Sequence, residues 1–194
     1  MDNITEKQSD KRKLVNKVCV YVVCVLLVCG YFAILLSKPN VPIEYQLYYI
    51  DDVMDEWPGY GGLSYAPGTV IRFGTAYGDV NATRRGRGWE LHHENSMRAV
   101  TDGAPIFFVL DNSVGYSCKA EMGGINAKSF VFKANGTTVF DSSQMVDGVA
   151  RFDIDKSLIG DDGLLNLSIE FDPTGANGTP FVEIFTISLD VKGE

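Results

Sequence analysis

The sequence predicts an all-β body, a two-sheet antiparallel sandwich of jelly-roll or Greek-key type, preceded by one N-terminal transmembrane helix. Three observations predict it. An uncharged apolar run lies near the amino end, a two-residue apolar alternation dominates after Gly68, and Gly/Asn/Asp turns separate the alternating runs. Beyond the first run no apolar spacing of 3.6 persists for three turns, so the body is not expected to be helical.

The first run, Val18 to Leu36, holds 19 residues and no charge, close to the roughly 20 that cross a bilayer core as a helix. Five basic residues precede it (Lys7, Lys11, Arg12, Lys13, Lys17), and only Lys38 follows before a series of acids. The positive-inside rule then leaves residues 1–17 as a cytoplasmic tail and the carboxyl body outside. A cleaved signal peptide is the competing reading, opposed by the length of the run and the absence of a small-x-small site after it. The expected location is an inner, or plasma, membrane crossed once, with a periplasmic or extracellular domain.

Subtracting the five basic and three acidic residues of the tail from totals of 17 and 25 leaves 12 and 22, a net charge of −10 beyond the span. Such a surface repels nucleic acid and anionic headgroups, which excludes nucleic acid as a partner. Cys19, Cys24 and Cys29 lie in the span and only Cys118 lies beyond it, so an intramolecular disulfide in the body is not expected.

Residues 37–68 read as a linker, "SKPNVP", and an aromatic, turn-rich arm. Within the arm "IEYQLYYI" is taken as a strand or packed segment, and Trp57, Tyr60 and Tyr65 as an aromatic set able to lie over the core. Residues 69–194 form the sandwich. Its clearest strands are "APIFFVL", "KSFVFKA", "VARFDI", "GLLNLSIEF" and "FVEIFTISLDV". In the last, Phe181, Phe185, Ile187, Leu189 and Val191 are expected to share a face. "NGT" at Asn135 and "DDG" at Asp161 supply turns between neighbouring strands.

The run "GRGWELHHENSMRAVTDG", Gly86 to Gly103, holds a Trp, both histidines, two acids before an Arg, and closing turn residues. With "IRFG" at Ile71 to Gly74, "GWE" at Gly88 to Glu90, the Glu94-x-x-x-Arg98 spacing, "TDG" at Thr101 to Gly103 and "KANGTTV", the chain resembles the exterior β-sandwich module of bacterial membrane glycosyltransferases and of the phosphoglycerol transferases that decorate periplasmic glucans. It departs from them at Ala99, Asn95 and Ser96, where the family places aromatic or Trp-Gly residues, and it has no catalytic body. The resemblance implies a carbohydrate-binding-like accessory module on its own anchor, contacting envelope glycan or assisting a multi-span glycosyltransferase or phosphoglycerol transferase.

Candidate glycan contacts are Trp89, Glu94, Asn95, Arg98 and Asp102, since an aromatic face stacks on a pyranose while acid, amide and guanidinium groups bond hydroxyls. The alternative buries Trp89 as a plug and pairs Glu94 with Arg98. No metal or other cofactor is expected: His92 and His93 point to opposite faces of an extended chain, and the acids of "DDVMDEW" and "DIDKSLIGDDG" lack calcium-loop spacing. No nucleophile motif supports an enzyme. Two other readings stay open, a structural subunit that docks a multi-span enzyme without binding sugar, and a type II secretory-pathway protein glycosylated at Asn81, Asn135, Asn166 or Asn177.

Overall fold

The computed structural model describes residues 2–37, 41–74, 83–90 and 94–193. The chain divides into two units, Met1–Asn40 and Val41–Glu194. The first is a helix, α1 (Asp2–Leu36). Its stretch Asn16–Leu36, 21 residues with none of its surface buried by protein, is long and apolar enough to cross a membrane. One such helix joined to a β-rich unit is the build of a single-pass membrane protein.

The second unit holds ten strands among the described residues: β1 (Val70–Arg72), β2 (Trp89–Glu90), β3 (Met97–Ala99), β4 (Ala104–Val109), β5 (Tyr116–Asn126), β6 (Ser129–Ala134), β7 (Thr137–Asp141), β8 (Val149–Ile154), β9 (Leu164–Asp172) and β10 (Phe181–Val191). One sheet runs β2-β3-β10-β5-β8, with β1 also paired to β10, and the other runs β4-β9-β6-β7. Each of β6/β7, β5/β8, β4/β9 and β3/β10 is an antiparallel pair. The chain is thus one long hairpin with its tip between β6 and β7, rolled so that β6 meets β9 and β5 meets β10. This is the jelly roll that the alternation predicts.

The tip is Asn135-Gly136, both at positive φ (45° and 84°), the backbone of a two-residue hairpin turn. Asn135 also ties the tip to β9 of its own sheet and to the β8–β9 crossover. Its Nδ2 donates to the carbonyls of Leu158 (2.8 Å) and Leu164 (3.0 Å), and its Oδ1 accepts from Asn166 N at 2.8 Å. The "NGT" triplet therefore has a structural reason. "DDG" joins β8 to β9, which belong to different sheets, so it is a crossover between layers and not a turn between paired neighbours.

The core lies between the layers. Phe132 stacks on Phe152 from the opposite sheet at 5.1 Å, with Phe130 and Phe140 beside them. Leu165, Leu167, Ile169 and Phe171 alternate into this core as the sequence predicts. Cys118 is buried in β5, and burial raises its thiol pKa far from the thiolate range.

Strand β10 departs from its expected phase. Val182, Ile184, Ile187 and Leu189 face the core, whereas Phe181 is only half-buried, Phe185 is 39% exposed and Val191 is exposed. The register against β5 shifts between Val182 and Ile184 and again between Ile184 and Thr186. The first shift adds a residue to β5; the second adds one to β10 and reverses its two-residue phase, so one parity cannot describe the whole strand. Glu183 is held there, nearly buried, accepting from Ser96 Oγ (2.7 Å) and Gly124 N (2.8 Å). A Cβ at Gly123 would lie 2.6 Å from Glu183 Oε2, so only glycine admits the carboxylate.

Four strand ends use one device, Asp-x-Ser/Thr. Asp111, Asp141, Asp155 and Asp172 each accept from the backbone N–H two residues on, at 2.8–2.9 Å. Hydrogen bonds from that Ser or Thr, through hydroxyl and amide with the amide leading at Asp155, hold each carboxyl below the usual aspartate range. Protonation removes these acceptors. Their stabilising contribution is therefore complete above the ordinary aspartate value of about 3.9 and is lost as pH falls below it. Thermal melts from neutral pH down to pH ~3 are expected to show a falling Tm at the acid end, with a smaller fall in Asp141→Asn. Leu167→Ala, at a fully buried position, is expected to cost about 3 kcal/mol in denaturant unfolding.

Candidate functional site: an aromatic cluster on the arm

The stretch "IEYQLYYI" is not a strand. Pro42 starts a helical turn, α2 (Ile43–Tyr45), which continues as a π turn over Gln46–Ile50. Helical spacing divides the segment between two faces. Leu47 is buried with Met54, Leu63 and Phe107 in a second, smaller core, with Ile43 and Tyr48 packed at its margin. Glu44 is also buried, accepting from Gly61 N at 2.9 Å. Tyr45, Tyr48 and Tyr49, at i, i+3 and i+4, bring their rings together.

Trp57 completes the group. Tyr45 and Tyr49 are 4.7 Å apart, Tyr48 and Tyr49 4.7 Å, Trp57 lies 5.8 Å from Tyr48 and 5.5 Å from Tyr49, and Tyr60 stands edge-on to Trp57 at 5.4 Å. Tyr49 and Tyr60 are 59% and 75% exposed, and Ile50 beside them is exposed as well. Tyr65, grouped with Trp57 and Tyr60 on sequence, goes elsewhere. It packs edge-on against Phe108, donates to the Thr69 carbonyl and accepts from Leu189 N at 2.8 Å; burial is the main cause of its raised pKa.

The arm is fixed to the outer face of β4 by a clasp that sequence reasoning missed. In "RRGR", Arg84 donates to the carbonyls of Leu63 (2.8 Å) and Ser64 (2.6 Å). Arg85 bonds Asp55 (2.9 Å) and Glu56 (2.7 Å), and Arg87 pairs with Asp52 at 2.6 Å. Backbone bonds from Arg87 N to Val53 O (3.0 Å) and Val109 N to Leu63 O (2.7 Å) join the same parts. Arg84 is nearly buried, and that burial lowers its pKa. The signal was three arginines within four residues of a strongly acidic body. Their acidic partners stand about 30 residues away in sequence, at separations of 29 and 30 for Arg85.

The residues proposed on sequence are not brought together around an open pocket. Trp89 is 6% exposed and joins the main core, its Nε1 donating to the Pro105 carbonyl at 2.9 Å. Its ring fills the sandwich and presents no free face. Trp89 pairs with Ala99, so Arg98, the next residue in register, lies out of phase with it. Arg98 does not pair with Glu94. It lies 3.4 Å from Glu183 Oε1 and its guanidinium covers the Phe181 ring at 4.2 Å. Glu94 and Asn95 are exposed in the preceding turn. Asp102 accepts from Phe171 N at 3.0 Å, at the edge of a shallow hollow of about 230 Å³ also lined by Ser129, Glu170 and Asp172. That volume is below the range of ordinary ligand pockets. His92, His93 and Asn81 fall outside the described residues.

Among the other acids once considered for calcium, Asp153 bonds Ser117 and Lys192, Asp155 caps a turn, and Asp162 accepts from Leu164 N. Asp55 and Glu56 belong to the clasp. Comparison with protein-family models and with curated proteins finds no match.

The arrangement offers binding chemistry: clustered rings, phenol hydroxyls, and a rim of Gln46, Asp51, Asp52 and Arg87. Arg84→Met is expected to lower stability by about 2 kcal/mol through loss of two charge-assisted hydrogen bonds. Hydrogen exchange at Gly61 and Tyr65 should then accelerate beyond what the global loss explains.

Proposed function

We propose that the chain is a single-pass membrane protein whose body stands outside an inner membrane as a glycan-contacting accessory module, with the arm's ring cluster as the contact surface. The observation that carries this reading is the ring group of exposed Tyr45, Tyr49 and Tyr60 with half-buried Tyr48 and Trp57, held in place by its own small core and by the arginine clasp. Exposed aromatic faces recognise the apolar faces of pyranoses, and the phenols and flanking Asp, Gln and Arg groups bond hydroxyls. The short motifs shared with the exterior module of membrane glycosyltransferases and phosphoglycerol transferases support the same reading. They make such an enzyme the proposed partner, with this chain contributing recognition and no reaction centre.

Binding to an array of envelope glycans tests it. Trp57→Ala is expected to weaken the best ligand about tenfold, roughly 1.4 kcal/mol, with the melting transition little changed. Trp89→Ala is expected instead to destabilise the sandwich. Absence of any sugar binding by the intact protein would remove the reading.

A further inference from the structure

Building on the glycan reading, we infer that the sugar met by the ring cluster is the uncharged headgroup of a lipid in the membrane that anchors the chain. The first argument is covalent. Leu36 ends the helix and Ile43 begins the arm's helical turn, and seven peptide steps span at most about 25 Å when fully extended. Tyr45 is the fifth residue of the second unit, so the ring cluster is built from the part of the body nearest the anchor in sequence. A sugar fixed to the same bilayer shares the anchor's surface and is thereby presented at high effective concentration.

The second argument is the kind of side chain. Four tyrosines and one tryptophan make up the cluster, with Ile50 exposed at its margin. Tyr and Trp are the residues that settle at headgroup depth, where one end of the ring meets apolar matter and the other meets water. A glycolipid headgroup has that same gradient, with sugar hydroxyls above and acyl glycerol below.

The third argument is charge. The chain beyond the span carries a net −10, and the rim of the cluster holds Asp51 together with the paired groups Asp52–Arg87 and Asp55/Glu56–Arg85. Among the described residues of this rim each arginine is already paired with a carboxylate, which disfavours a phosphate or a uronate, and the net negative charge disfavours anionic headgroups. Neutral sugar satisfies both the rings and the rim.

The test uses the full chain in phosphatidylcholine nanodiscs, with and without lipids bearing glucose, galactose or N-acetylglucosamine headgroups. The matching free methyl glycosides are titrated into plain discs. Trp57 emission is the readout, because the other tryptophan, Trp89, is buried. The inference expects a blue shift in one set of glycolipid discs, at sugar concentrations at least about tenfold below those the free glycoside requires. The shift should vanish in Tyr49→Ala and Tyr60→Ala, whose near-UV circular dichroism should remain native. Equal response to free glycoside and glycolipid would overturn the membrane-held source while leaving the glycan reading standing. A shift of the same size in plain discs would identify contact with lipid alone and overturn it. Silence towards every sugar would remove both.

Discussion

The mutual burial of the two inner sheet faces is the constraint on which the body depends. Neither layer has a core alone. β4, β6, β7 and β9 bury their inward residues against the sheet of β1, β2, β3, β5, β8 and β10, and the contact of Phe132 with Phe152 marks where the layers meet. The two-residue alternation of β6, β8 and β9 is a consequence of this, because each has one dry side and one wet side, whereas β4 is covered by the arm on its outer side as well. The rolled hairpin delivers the two sets of strands to opposite layers, and Asn135 fixes its tip by bonding both to the Leu158 carbonyl in the β8–β9 crossover and to β9.

The same rule explains what was legible and what was not. β4, β6, β8, β9 and β10 carry large apolar residues on the inward side and read as strands at sight. β5 obeys the rule with Tyr116, Cys118, Ala120 and Met122 inward, but two of these are small and two glycines follow, so its alternation is faint. β10 was placed correctly and phased correctly at Ile187 and Leu189 but wrongly at Phe181 and Phe185 ahead of the bulge, since a bulge is a property of pairing and leaves no mark in one strand's own composition. The helical turn at Ile43 was hidden because a run so short fits a strand and a helix equally.

The site was less legible than the fold, for a related reason. Trp89 has the composition of a sugar contact and the position of a core plug, and only the Pro105 carbonyl opposite its indole decides between them. Arg98 has an acid four residues earlier, yet its carboxylate neighbour is Glu183 on the last strand. Tyr45, Tyr48 and Tyr49 needed the helical turn to converge, and Trp57 needed the arm to fold back. Long-range pairing made each assignment, whereas sequence reasoning had only local spacing to use.

Strand β10 is the innermost element of its sheet, flanked by β5 on one side and by β1 and β3 on the other. It is also the last of the described strands in chain order. β1 and the β2–β3 pair therefore join the rest of their sheet only when β10 is in place, and closure of the sandwich is a late event. Without β10 the first sheet falls into β1, the β2–β3 pair and the β5–β8 pair, and β3 and β5 face solvent as unpaired edges open to pairing with another chain.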